Sequence, residues 1–239
     1  QLFYDYYWGS GFLPSKHQGV KFNSAGAPVP YLNNPTGMSR QGRRSLLDKL
    51  STLNLEHYAQ YGDPEIQTRI SQYEMAFRMQ TSVPELLDFK KEPEHVIKRY
   101  GPDVEQRGTF ANNCLTARRL LERGTRFVQL MHSGWDQHSN LFGQLEQQCV
   151  DTDAPSAALI QDLKDRDMLK DTLVIWGGEF GRTPFGQYNS GDSKKPTGRD
   201  HFGRAFSWIM AGAGIKPGSV YGETDEFGWN ITKGAIHVH

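Results

Sequence analysis

Three short polar segments in the second half of the chain carry the side chains best suited to chemistry. They contain Asp136 and His138, Glu179 and Arg182, and Arg199, Asp200 and His201. Carboxylates and imidazoles are ligands of divalent cations such as Zn²⁺ and Mn²⁺. An arginine beside such a cation suits an anionic substrate, because a guanidinium binds anionic oxygens with paired hydrogen bonds. Each segment alone is more typical of a turn or surface role, but together they would form a metal site.

The elements around these segments predict how they would be brought together. Helical patterns alternate with short apolar runs, and the runs that predict strands are 126–131, 172–176 and 205–210. Helices are expected at about 104–123, 139–150 and 154–169. This order is typical of an α/β domain with a parallel sheet, whose ligands bind beyond the carboxyl ends of the strands. We therefore expect the three polar segments to meet at one edge of the sheet.

The first hundred residues differ from the rest of the chain in composition and in hydrophobic pattern. Glycine and proline are frequent at the start, which predicts loops, and the pattern turns helical at about 42–61. Asp63 followed by Pro64 predicts the start of a second helix. Nothing in the chain reads as a flexible linker. We therefore expect one domain over residues 1–239, with a loop- and helix-rich insert or cap at 1–100 and an α/β core at 101–239.

Charge and hydropathy exclude several classes of partner. The 27 basic and 27 acidic residues give a formal net charge of zero, so the chain lacks the basic surface expected for nucleic acid or an acidic membrane. No apolar run approaches the roughly 18 residues that a membrane span needs. Cys114 and Cys149 lie at helical spacing with apolar residues, which favours two buried thiols over a metal-binding pair.

Several of these side chains have more than one interpretation. Arg182 would either bind an anion or serve as a structural ion-pair partner. His132, at the end of a predicted strand, is more typical of a hydrogen-bonded structural histidine than of a ligand. His237 and His239 would lie on the same face of a strand, because side chains alternate between its faces. They would either form a second histidine pair or be neighbours only because the sequence stops there.

The motifs around the polar segments resemble those of a family of largely uncharacterised bacterial proteins, a domain of unknown function often described as sulfatase-like. They are Gly134-Trp-Asp-Gln-His138, Val174-Ile-Trp-Gly-Gly-Glu-Phe-Gly-Arg-Thr-Pro184, Gly198-Arg-Asp-His201 and Gly218-Ser-Val-Tyr-Gly-Glu-Thr-Asp-Glu-Phe-Gly228. The resemblance continues upstream through residues 11–19 and 69–80, so it covers almost the whole chain. That family is placed in the alkaline phosphatase and sulfatase superfamily of metal-dependent ester hydrolases and transferases.

The resemblance implies a three-layer α/β/α fold, alkaline-phosphatase-like, with metals at the carboxyl edge of a mostly parallel sheet. Asp136 and His138 resemble the first Asp and His ligands of the superfamily, although their spacing is D-x-H rather than D-x-x-x-H. His201 resembles its late metal-binding His. Glu179 and Phe180 stand where the superfamily has Asp-His, so a complete second metal site is not expected. The superfamily's first strand and its nucleophile have no counterpart in the chain, so the domain is expected to be incomplete at both ends.

These observations predict a metal-dependent hydrolase-like protein that acts on small phosphate or sulfate esters. The expected ligands or ligand-orienting groups are Asp136, His138, Glu179, Asp200 and His201, with Arg182 as the catalytic residue. Zn²⁺ or Mn²⁺ is the expected metal, with Ca²⁺ or Mg²⁺ as the alternatives. The competing hypothesis is a non-catalytic binding or scaffold protein that keeps the fold. The resemblance also implies an exported protein.

Overall fold

The computed structural model describes residues 9–188 and 197–237. The chain divides into two compact units, Gln1–Lys91 and Glu92–His239. Both helices and strands are present, and the helices are much the longer elements. None of the described helices combines the length and the apolar character that a membrane span requires, in agreement with the sequence.

Two long helices that pack on each other form most of the first unit. They are α1 (Arg40–Tyr61) and α2 (Pro64–Leu87), preceded by a short 3-10 helix at Ser15–His17 and followed by another at Phe89–Lys91. The side chain of Asp63 accepts a hydrogen bond from the backbone N–H of Glu65 at 2.9 Å. The predicted start of the second helix is therefore confirmed, and Pro64 occupies its first turn, where the missing N–H is not needed.

Three helices form the core of the second unit. They are α3 (Glu94–Tyr100), α4 (Phe110–Glu122) and α5 (Leu141–Asp165), and α5 packs against both α3 and α4. The two helices predicted at 139–150 and 154–169 are one continuous helix with Pro155 inside it. The helix predicted from residue 104 begins at Phe110, because Thr109 caps its first turn by accepting from the N–H of Asn112 at 3.2 Å.

A buried ion-pair network lies within this helical core. Arg118 is 1 % exposed, and its Nε donates to Asp162 Oδ2 at 2.9 Å. The hydroxyl of Tyr100 donates to the same carboxylate oxygen at 3.1 Å, and Arg118 also pairs with Glu92 and Glu122. A buried charge is tolerated only when it is paired and hydrogen-bonded, so these groups depend on one another.

Within residues 9–188 and 197–237 the strands are short and pair in three separate antiparallel sheets. They are β1 (Val174–Trp176) with β4 (Ile209–Ala211), β2 (Gly181–Arg182) with β3 (His201–Phe202), and β5 (Glu223–Thr224) with β6 (Ile231–Lys233). The predicted strands at 172–176 and 205–210 correspond in part to β1 and β4. The run at 126–131 forms no strand.

The three-layer α/β/α prediction with a mostly parallel, alkaline-phosphatase-like sheet is therefore wrong. Parallel strands need cover on both faces, which is why they are almost always buried. Here Ile175 of β1 is 50 % exposed and Ile209 of β4 is 61 % exposed. Within the described residues β1 pairs with the later strand in the opposite direction, and the two form a ribbon rather than one layer of a larger sheet.

Candidate metal centre

The antiparallel pair β2–β3 brings two of the three polar segments together. Arg182 lies opposite His201 in the register of the pair, and the N–H of Thr183 continues the pairing by donating to the carbonyl of Asp200 at 2.9 Å. Convergence therefore comes from a local hairpin-like contact, and not from the ends of parallel strands as the sequence suggested.

The first polar segment packs directly on the third. The N–H of Arg199 donates to the carbonyl of Gln137 at 3.1 Å. A Cβ atom at Gly198 would lie 2.1 Å from the carbonyl carbon of His138, so only glycine allows this approach. The close contact fixes the position of residues 136–138 relative to His201.

Three side chains point their ligand atoms at one another. Asp136 Oδ1 lies 2.9 Å from His201 Nε2 and 3.0 Å from His138 Nε2. The two imidazole Nε2 atoms are 3.2 Å apart. These atoms lie within 4.8 Å of one another, and among the described residues they form the one group of three or more that could hold a metal ion. One carboxylate and two imidazoles suit Zn²⁺, and the same donors are compatible with Mn²⁺.

Gln187 orients one of these imidazoles. Its Oε1 lies 2.8 Å from His138 Nδ1, which places the ring proton on Nδ1 and leaves the Nε2 lone pair facing the cluster. The backbone of Gln187 pairs with Gly198, so the same loop contact positions both residues. Gln187 could not be identified from the sequence, because a single amide outside the motifs gives no indication of a role until the pairing of residues 187 and 198 is known.

Arg182 lies beside the carboxylate of the cluster. Its Nη2 donates to Asp136 Oδ1 at 2.7 Å and to the carbonyl of Trp135 at 3.2 Å. Hydrogen bonds from His201 and from Arg182 lower the pKa of Asp136 to about 2. The carboxylate is therefore ionised throughout the neutral range, as a metal ligand must be.

The remaining predicted ligands lie outside this group of three. Asp200 Oδ1 accepts from the backbone N–H of His201 at 2.8 Å and lies 3.9 Å from His138 Nδ1, so Asp200 holds the backbone at His201 and places a negative charge near the ring of His138. Glu179 is exposed and is not part of the group. The ring of Phe180 instead packs on the imidazole of His201, with centroids 4.6 Å apart.

The other histidines considered from the sequence have different positions. His132 Nδ1 accepts from the indole N–H of Trp135 at 3.0 Å, the arrangement of a hydrogen-bonded structural histidine. His237 is exposed, and His239 lies outside the described residues.

The fold and the site together define a mixed α and β protein whose described residues contain one candidate three-ligand metal centre beside an arginine. Residues 3–239 match the model of a family described as a protein of unknown function, DUF1501. The chain belongs to that family. The predicted membership of a family of unknown function is therefore confirmed. No curated protein and no solved structure matches the chain.

Proposed function

We propose that the protein is a metal-dependent hydrolase of phosphate or sulfate esters. The observation that carries the proposal is the convergence of Asp136, His138 and His201, whose ligand atoms lie within 4.8 Å of one another. Catalytic zinc sites typically use three protein ligands and keep a further position open for water or substrate. A set of three ligands whose side chains are half-buried or exposed matches that arrangement.

The side chains around the cluster have separate tasks in this proposal. A bound divalent cation would supply Lewis-acid polarisation of an ester oxygen. Gln187 holds the imidazole of His138 in the orientation that the cation needs, and Asp200 holds the backbone of His201. Arg182 supplies a preorganised positive charge for the remaining anionic oxygens of the substrate, which is the kind of interaction that stabilises charge developing in a transition state.

The sequence resemblance supports the same chemistry. The motifs that contain Asp136, His138 and His201 resemble those of a family placed in the alkaline phosphatase and sulfatase superfamily, which consists of metal-dependent hydrolases of phosphate or sulfate esters and related transferases. The same resemblance carries the proposal that the protein is exported. Phosphate and sulfate esters present similar tetrahedral anions, so the experiment must distinguish them.

Metal binding is the first test. Isothermal titration with Zn²⁺ and then Mn²⁺ should show one equivalent bound per chain. Asp136→Ala and His201→Ala should each weaken binding by about 100-fold or more, because each removes one of three ligands. His95→Ala, which alters an exposed histidine of α3, should leave binding unchanged. If neither metal binds, the proposal is wrong.

Turnover is the second test. With water as the nucleophile in place of the superfamily's side chain, the metal-loaded protein should release phenol from a panel of aryl phosphates or aryl sulfates, and the preferred anion identifies the substrate class. Arg182→Gln should retain the metal and lose most of the rate. Metal binding without turnover of either ester would instead support the competing hypothesis, a non-catalytic binding protein.

A further inference from the structure

Arg182 and a metal ion would compete for the same atom. The Nη2 of Arg182 lies 2.7 Å from Asp136 Oδ1, the oxygen that also lies within 3.0 Å of both imidazole Nε2 atoms. In the metal-free arrangement the guanidinium therefore neutralises the carboxylate. An arginine engaged in this way has less capacity to bind an external anion.

The guanidinium also has anchors that do not depend on Asp136. Its Nη2 donates to the carbonyl of Trp135 at 3.2 Å, and its Nη1 donates to the carbonyl of Arg199 at 3.4 Å. These neutral carbonyls would keep the guanidinium beside the cluster when a cation takes over the carboxylate oxygen. The guanidinium would then remain in the site without a carboxylate to neutralise its positive charge.

The Arg182 side chain is only 24 % exposed, so solvent would compensate its lost partner incompletely. A guanidinium has five N–H donors, and the described contacts to Asp136, Trp135 and Arg199 use three of them. The remaining donors, together with the one released from Asp136, can engage the paired oxygens of a tetrahedral anion.

We infer that metal binding switches Arg182 from its ion pair with Asp136 to an oxyanion, so that metal and anion bind cooperatively. The inference rests on the proposed function, because it requires that the cluster binds a metal. Reciprocity follows from thermodynamic linkage: if the metal raises the affinity for the anion, the anion raises the affinity for the metal by the same factor.

The test measures sulfate binding by isothermal titration with and without saturating Zn²⁺ at constant ionic strength. We expect Zn²⁺ to tighten sulfate binding at least tenfold, and saturating sulfate to tighten Zn²⁺ binding by the same factor. Arg182→Gln should keep Zn²⁺ binding and lose this coupling. Arg204→Gln, which alters an exposed arginine of the same unit, should preserve the coupling and serves as the matched control.

A second variant distinguishes the switch from simple attraction between the metal and the anion. Asp136→Asn removes the charge that holds Arg182, so it should bind sulfate more tightly than the wild type when no metal is present. If the protein binds Zn²⁺ but its affinity for sulfate is the same with and without Zn²⁺, the inference is overturned and the proposed function remains intact. No gain in metal-free sulfate affinity in Asp136→Asn would also overturn it. Failure of Zn²⁺ to bind the wild type would instead reject the proposed function itself.

Discussion

The hydrogen bond from His138 to Gln187 should strengthen metal binding by an amount that can be measured. The 2.8 Å contact between His138 Nδ1 and Gln187 Oε1 holds the imidazole in the tautomer and orientation that present Nε2 to the cluster. Removal of such an outer hydrogen bond typically weakens metal binding by about 10- to 100-fold, which corresponds to about 1.4–2.7 kcal/mol. Gln187→Leu keeps the size of the side chain and removes the acceptor, so its zinc dissociation constant should rise by that factor.

The assay is competition for Zn²⁺ with a chromophoric chelator at neutral pH, with circular dichroism to confirm that each variant is folded. Gln187→Glu retains an acceptor and adds a negative charge near the metal, so it should bind Zn²⁺ at least as tightly as the wild type. Gln144→Leu makes the same change at an exposed position of α5 and should have no effect. A folded Gln187→Leu variant with an affinity within about twofold of the wild type would refute the role of this hydrogen bond, since the expected loss starts at about tenfold.

Three further predictions concern packing, the buried ion pairs and the thiols. Gly198→Ala should weaken zinc binding and cost about 1–3 kcal/mol of stability, because its Cβ overlaps a neighbouring backbone carbonyl. Gly203→Ala, whose Cβ would meet no atom within 4 Å, should change neither quantity. Asp162→Ala leaves a buried guanidinium without one of its partners and should lower the free energy of unfolding in urea by about 3–5 kcal/mol. Asp165→Ala removes an exposed pair and should cost no more than about 1 kcal/mol. Burial raises the pKa of Cys114 to about 12, so the native protein should react with a thiol reagent at pH 8 through one of its two cysteines, and the unfolded protein through both.

The sequence predicted individual elements better than their assembly. The start of α2 at Pro64 follows from Asp63 as a cap, a signal contained within a few residues. The apolar run at 172–176 likewise marked the position of β1. Its partner could not be inferred in the same way, because the pairing of Val174 with Ala211 joins distant parts of the chain. A local apolar pattern indicates an extended segment but does not specify the direction of its neighbour.

The convergence of Asp136, His138 and His201 was expected on the basis of a parallel sheet, yet these residues converge although the described part of the chain contains only antiparallel strand pairs. Glycines within the same motifs account for this result. A Cβ at Gly181 would lie 2.4 Å from the carbonyl oxygen of Ala205, and a Cβ at Gly198 would lie 2.1 Å from the backbone of His138. Each glycine permits a close backbone approach that a side chain would block. The motifs therefore contain both the ligands and the contacts that bring them together, so the site depends on these two approaches rather than on the layer architecture around it.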